Sequence, residues 1–324
     1  MIEILKSGPA NAIHDLGRPG LLHLGISRAG AMDRLAFALG NALLGNPPGA
    51  AAIEVAMFPF RVRFEADTCI ALTGADAEAS LDGRRLPPAW VLPVKAGQEL
   101  TLGGTDIGAR AYISIAGGID VPEVLGSRST DLKSGFGGLD GRGLAKGDRL
   151  PIGASDLALP ASGHGPLLPD DVAAFWQSGA TTAEVRMIPA AEHDDFTEDS
   201  RSAFFETDWL ITNEANRMGY RLEGPDLTTT EDIELFSHGL LPGTVQVPRS
   251  GQPIVQLADA NTCGGYCKIG VVIAEDLWKF AQFRPGGTLR FRTCSVDEAL
   301  EARTARMAWL DGIRAQSSAT TAAA

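Results

Sequence analysis

Apolar and charged residues alternate with a period of two along Phe60-Arg61-Val62-Arg63-Phe64-Glu65, the signature of a strand with one face buried. Leu289-Arg290-Phe291-Arg292 repeats the pattern. Short apolar runs at 69–73, 111–115, 185–188, 245–247, 254–257 and 271–273, each bounded by Gly, Pro or Asp, predict further strands. Many short strands separated by turn signals indicate barrels or sandwiches rather than a repeat of strand and crossover helix. The fold class is therefore mainly β, with two barrel-like units and a few short helices.

The helices carry recognisable punctuation. Asp33 can cap a helix through Leu35, Leu39, Ala42 and Leu43, which Gly45 stops in a left-handed conformation. A short helix from Glu275 puts Leu277, Phe280 and Ala281 on one face before Pro285 ends it. Ser295 and Glu298 form a capping-box pattern ahead of Val296, Leu300, Met307 and Leu310 at helical spacing. The Ser/Thr/Ala-rich stretch 316–324 reads as a disordered tail.

At 324 residues the chain exceeds what one core usually organises. The division drawn from composition is 1–160 for the first β unit and 161–182 for a linker around one short helix. It continues with 183–296 for the second β unit and 297–324 for a helix and tail. The linker reading rests on Pro160, Ser162, Gly163, Gly165, Pro166 and Pro169.

A formal charge of −12 argues against a grip on nucleic acid or anionic lipid, and no apolar run is long enough for a membrane span. With no leader pattern at Met1, a cytoplasmic protein is expected. Cys69, Cys263, Cys267 and Cys294 are too few for a disulfide framework, and Cys263 and Cys267 stand at C-x3-C spacing, so no metal is expected. The Gly-rich stretch 135–143 lacks the order of a P-loop and reads as a long turn.

Three segments can carry chemistry. In Ile13-His14-Asp15-Leu16-Gly17-Arg18-Pro19-Gly20, with Asp33 further on, Arg18 and Asp33 can bind substrate; alternatively Asp15 pairs with Arg18 and Asp33 is only the helix cap. In Asn216-Arg217-Met218-Gly219-Tyr220-Arg221, Arg217 and Arg221 share a strand face and suit a carboxylate or phosphate, unless Glu214 and Glu223 take them. Around Asp259-Ala260-Asn261-Thr262-Cys263-Gly264-Gly265-Tyr266-Cys267-Lys268, an acid, a Gly-Gly turn, an aromatic and a lysine lie between two strands. There Lys268 can stabilise an oxyanion, Asp259 can act as base or orient Lys268, and Tyr266 can stack. A turn with a surface Asp–Lys pair is the ordinary alternative.

Taken together, these segments resemble the biotin-dependent carboxyltransferase family of KipA and allophanate hydrolase subunit 2 type, which includes the C subunit of bacterial 5-oxoprolinase. The motifs are His14-Asp-Leu-Gly-Arg-Pro-Gly20, Ser27 to Asp33, Gly141-Arg-Gly-Leu-Ala-Lys-Gly-Asp148, Asn216 to Pro225, Gln246-Val-Pro248 and Gly264-Gly-Tyr-Cys-Lys-Ile-Gly270. His14 stands where the family generally has Gln, and Asn261-Thr262-Cys263 with Cys267 replaces a more usual Gln-Thr-Thr and Pro.

The resemblance implies cyclophilin-like barrels and an ATP-dependent 5-oxoprolinase complex with two further proteins, one KipI-like and one LamB/YcsF-like. For that chemistry Lys268, Asp259 and Arg217 are the candidate catalytic residues, with Asn216, Tyr266, Thr262, Arg18 and Asp33 as candidates to contact a small amide substrate. ATP would sit on a partner or at a shared interface, and this chain carries no biotin-attachment hairpin. The same family also implies two other roles: the carboxyltransferase part of a urea carboxylase or allophanate hydrolase system, and a regulator that sequesters a KipI-like kinase inhibitor.

Overall fold

A computed structural model of the chain describes residues 1–157 and 162–322; Pro160, used above for the linker, lies outside them. Two compact units appear. One comprises Met1–Arg18, Ala29–Ala173 and Met307–Ala324, and the other Pro19–Arg28 and Ala174–Arg306. Neither is contiguous in sequence, and the change of unit at Ala173 falls inside helix α2 (Asp170–Gln177), within the stretch read as a linker.

In the first unit the strands form two sheets. A six-stranded sheet has Ile2–Lys6 and Phe60–Phe64 near its centre, and a five-stranded sheet is built on Thr68–Asp76 and Ile107–Ile115. The alternation along Phe60–Phe64 is realised as buried Phe60, Val62 and Phe64 between exposed Arg61 and half-buried Arg63. These side chains meet Ile53, Val55, Ile113 and Ile115 of the other sheet in one core. Helix α1 (Arg34–Leu43) covers the opposite face, packing Leu39, Ala42 and Leu43 against Cys69 and Ala71. That double coverage is why 69–73 reads as an uninterrupted apolar run rather than an alternating one.

The second unit holds a closed barrel of seven strands. Around it run Thr182–Pro189, Cys267–Val272, Thr244–Val247, Ile254–Gln256, Gly219–Glu223, Trp209–Ile211 and Thr288–Thr293. Parallel pairing of Thr182 with Thr288 through Met187 with Thr293 closes it. Closure leaves no unpaired edge. Helix α3 (Glu198–Glu206) places Phe204 against Phe291, ring centroids 4.5 Å apart, to help plug the core. The chain is thus mainly β with few helices. The closed barrel occupies the second unit, while the first keeps two separate sheets.

Capping follows the predicted chemistry. Asp33 Oδ1 accepts the Ala36 amide at 2.7 Å, and Gly45 takes φ 61° after the end of α1. Helix α4 (Leu277–Gln282) is preceded by a 3-10 turn, and its buried positions include Phe280 and Ala281. Ser295 Oγ accepts the Glu298 amide at 3.1 Å at the start of α5.

Helix α5 departs from expectation by running Val296–Ala322, through most of the stretch read as a disordered tail; 323–324 lie outside the described residues. Its anchor is tertiary. Ile313 is buried, and Ser317 Oγ donates to the Ala42 and Leu43 carbonyls in the last turn of α1, where carbonyls outnumber the helix's own donors. Val296, Leu300 and Met307, expected to form an apolar face, are more than half exposed.

Candidate functional site

Lys268 lies on the barrel strand Cys267–Val272, which follows the Gly264-Gly265-Tyr266 turn. Its ammonium is not a surface charge. Lys268 Nζ pairs with Glu192 Oε2 at 3.1 Å, with side chains only 12% and 14% exposed, and the same oxygen lies 3.3 Å from the Lys268 amide nitrogen. One carboxylate therefore fixes both main chain and side chain. Glu192 is 76 residues away in sequence, and no local signal in the sequence links it to Lys268.

Asp259 does not play the part expected of it. Its carboxylate is taken bidentately by Arg217, Nε to Oδ2 at 2.7 Å and Nη2 to Oδ1 at 3.0 Å, and its amide donates to the Arg217 carbonyl at 2.9 Å. Both carboxylate oxygens are thus engaged by one guanidinium in a fork-to-fork pair. Asp259 also does not orient Lys268, which Glu192 does. Arg221, the second guanidinium of the expected anion-binding pair, is matched to Glu214 at 2.6 Å. Each arginine thus has its own carboxylate, and the pair does not converge on a ligand.

The remaining expected residues have local duties. Asn216 Oδ1 accepts the Met218 amide at 2.8 Å, an Asx turn leading into Gly219–Glu223. The Thr262 carbonyl accepts the Leu240 amide at 3.0 Å, tying down the two-stranded sheet formed by His238–Gly239 and Cys263–Gly264. Tyr266 is 52% exposed and lines a cleft of about 620 Å³ with Phe196, Glu231, Glu234, Pro248 and Arg249. Of the predicted set, the structure pairs Arg217 with Asp259 and sets Tyr266 and Lys268 two residues apart at one end of a strand.

Arg18 and Asp33 belong to the first unit and serve its interior. Arg18 is fully buried; its Nε donates to the Val124 carbonyl at 3.1 Å, Nη2 donates to the Ser129 carbonyl, and the guanidinium lies 4.7 Å from the centre of the Phe136 ring. It organises the glycine-rich turn and presents no surface to a substrate. Nor does Asp15 pair with it. Asp15 accepts from Ser127 Oγ, Ser129 Oγ and the Gly17 and Arg128 amides. Asp33 is 1% exposed, and its amide donates to Tyr112 Oη, which donates to Glu54. Burial first, then the charges of Glu54 and Asp33, push the Tyr112 hydroxyl well above its ordinary pKa. Both Arg18 and Asp33 were expected to touch substrate, and both are internal.

The thiols differ sharply. Cys263 is exposed, whereas burial pushes Cys69 up to about 12 and, with the neighbouring Glu192 and Asp195 carboxylates, also raises Cys267. Brief treatment of the folded protein with iodoacetamide at neutral pH is expected to label Cys263 and spare Cys69, Cys267 and Cys294. Peptide mass spectrometry reads this directly, and labelling of Cys69 as fast as Cys263 would contradict it.

A unit of two packed sheets and a second unit holding a seven-stranded barrel, with a buried lysine after a turn that lines a cleft, make the architecture of a carboxyltransferase domain. Residues 24–293 match the family model for the carboxyltransferase domain, subdomains A and B, and the chain belongs to that family. It is 46% identical over 304 residues to the C subunit of Escherichia coli 5-oxoprolinase, covering 94% of each chain. It is 32% identical to urea amidolyase of Saccharomyces cerevisiae over 92% of this chain, but only 17% of that protein. The crystal structure of Kluyveromyces lactis urea amidolyase superposes with a TM-score of 0.85 and 28% identity, covering 96% of this chain and 20% of that one.

Proposed function

We propose that this chain is the C subunit of a 5-oxoprolinase, a complex that uses ATP to open 5-oxo-L-proline to L-glutamate in the cytoplasm. The observation that carries the reading is the match to the Escherichia coli protein, 46% identical over 94% of each chain. The urea amidolyase relatives share this fold inside chains several times longer, so their activity rests on parts this match does not include.

A five-membered lactam is a stable amide, and its carbonyl oxygen gains negative charge as the ring opens. Lys268 is the group on this chain suited to meet that charge. It is desolvated, so its charge is felt strongly, and Glu192 keeps it in one place before the reaction begins. Arg217 supports the neighbouring turn through Asp259, and Tyr266 offers a ring to one wall of the cleft.

The cleft does not suit ATP. Glu231, Asp232 and Glu234 line it, and its cation, Arg249, is already engaged with Asp232 and Glu234 at 3.1 and 3.2 Å. Such a lining repels a triphosphate, so we assign no step on this chain to the nucleotide and place its site with the KipI-like or LamB/YcsF-like partner. The purified chain is accordingly expected to be inactive alone. Substantial lactam opening by the single chain, followed by glutamate release, would overturn that assignment.

A further inference from the structure

Two glutamines are buried in the wall of the barrel beside Lys268. Gln246, on Thr244–Val247, is 3% exposed, and Gln256, on Ile254–Gln256, is 9% exposed. Gln256 Nε2 donates to Gln246 Oε1 at 3.0 Å, which fixes the orientation of the Gln246 amide and turns its Nε2 donor away from Gln256. That donor is buried and has no hydrogen-bond partner among the described residues. A buried amide donor left unsatisfied costs about 1–3 kcal/mol. An apolar side chain of similar size would avoid that cost, so packing does not explain the glutamine.

Its surroundings point to a ligand. Gln246 is the cross-strand partner of Lys268, so both side chains leave the same face of the wall as neighbours. Gly264, in the turn over this face, approaches so closely that a Cβ there would lie 2.9 Å from Gln246 Nε2 and 3.0 Å from a Leu240 methyl. Cys263–Gly264 is held in place by pairing with His238–Gly239. The result is a neutral donor beside a cation under a glycine roof.

We propose that Gln246, held by Gln256, is a specificity-determining residue whose Nε2 donates to the carbonyl oxygen of a small planar amide next to Lys268. The choice of 5-oxoproline as that amide rests on the function proposed above. The neutral donor binds the amide ground state, while the charge of Lys268 counts most as the oxyanion develops. Loss of the donor therefore raises KM more than it lowers kcat.

The test uses Gln246→Met/Gln256→Met, which removes both partners of the internal bond and so leaves neither amide orphaned. In the complex assembled with its partner proteins, KM for 5-oxoproline should rise about tenfold, with kcat changed less than about threefold, the scale of one lost neutral hydrogen bond. The thermal midpoint of the purified variant should equal or exceed that of the wild type. A lowered midpoint with an unchanged KM would show that the pair is purely structural and overturn the proposal.

A second measurement separates the subsite from the identity of the substrate. In the isolated wild-type chain, the side-chain amide resonances of Gln246 should shift on titration with 5-oxoproline or with acetamide. If the complex does not turn over 5-oxoproline but acetamide still moves those resonances, the proposed function fails and the subsite stands. If neither amide moves them, the subsite is wrong.

Discussion

Replacing Lys268 with alanine is expected to slow 5-oxoproline opening by the assembled complex ~10²–10³-fold, the usual cost of removing one donor to a developing oxyanion. The effect should appear in kcat, because the interaction strengthens as charge moves onto the oxygen. From the sequence this replacement is expected to leave the fold intact, since the side chain is not predicted to be core. The ion pair changes that expectation: alanine strands the Glu192 carboxylate at 14% exposure, so some stability is lost as well. Lys268→Met combined with Glu192→Gln removes both charges and should restore stability without restoring turnover. Lys268→Arg should rescue poorly, because a planar fork does not replace a compact ammonium. A doubly neutralised variant with near-normal kcat would mean that the pair is structural only.

The largest effect on stability is expected at Arg186. Asp276, fully buried just before α4, accepts from the Arg186 amide at 2.8 Å, from its Nε at 3.0 Å and from its Nη2 at 2.7 Å, with Lys279 Nζ 3.4 Å away. Burial by itself would raise the Asp276 pKa. The Arg186 bonds and the Lys279 charge outweigh it and hold the carboxyl below its ordinary value. Arg186→Met should cost near the low end of the ~3–5 kcal/mol typical of breaking a buried pair, since Lys279 remains.

The sign with pH follows from linkage. A carboxyl depressed in the folded state contributes stability above its unfolded pKa, about 3.9, and that contribution is lost as pH falls through the folded value. In the variant, burial raises the carboxyl instead, so acid relieves its penalty. The difference in thermal midpoint between wild type and variant should therefore be greatest near pH 7 and shrink below about pH 4. A gap that stays constant across that range would contradict the account.

Strand positions and helix caps were legible because they depend on neighbours in sequence. The alternation at Phe60–Phe64, the Asp33 cap and the Ser295 cap all reappear in the structure. What sequence could not show was anything closed over a long loop. The parallel pair of Thr182–Pro189 with Thr288–Thr293 joins segments about a hundred residues apart, and nothing in either strand names its partner.

The candidate site behaves in the same way. Residue types around Lys268 pointed to the turn and strand that carry it, but its partner Glu192 and the clamp of Arg217 on Asp259 are set by tertiary packing. Arg18 misled because glycine-dense segments with charges read equally well as a ligand loop or as a buried scaffold. Helix α5 was cut short because Ser/Thr/Ala composition suggests disorder, whereas the bonds from Ser317 hold it to α1.

This chain is proposed to work in ATP-dependent lactam opening. The most direct test is ADP release by the complex co-purified with its partner proteins, measured across 5-oxoproline, urea and allophanate, with and without avidin. ADP release is expected to require 5-oxoproline, to match glutamate formation and to be indifferent to avidin. ADP release driven by urea and abolished by avidin would contradict this proposal and assign the chain to a biotin-dependent carboxylase instead.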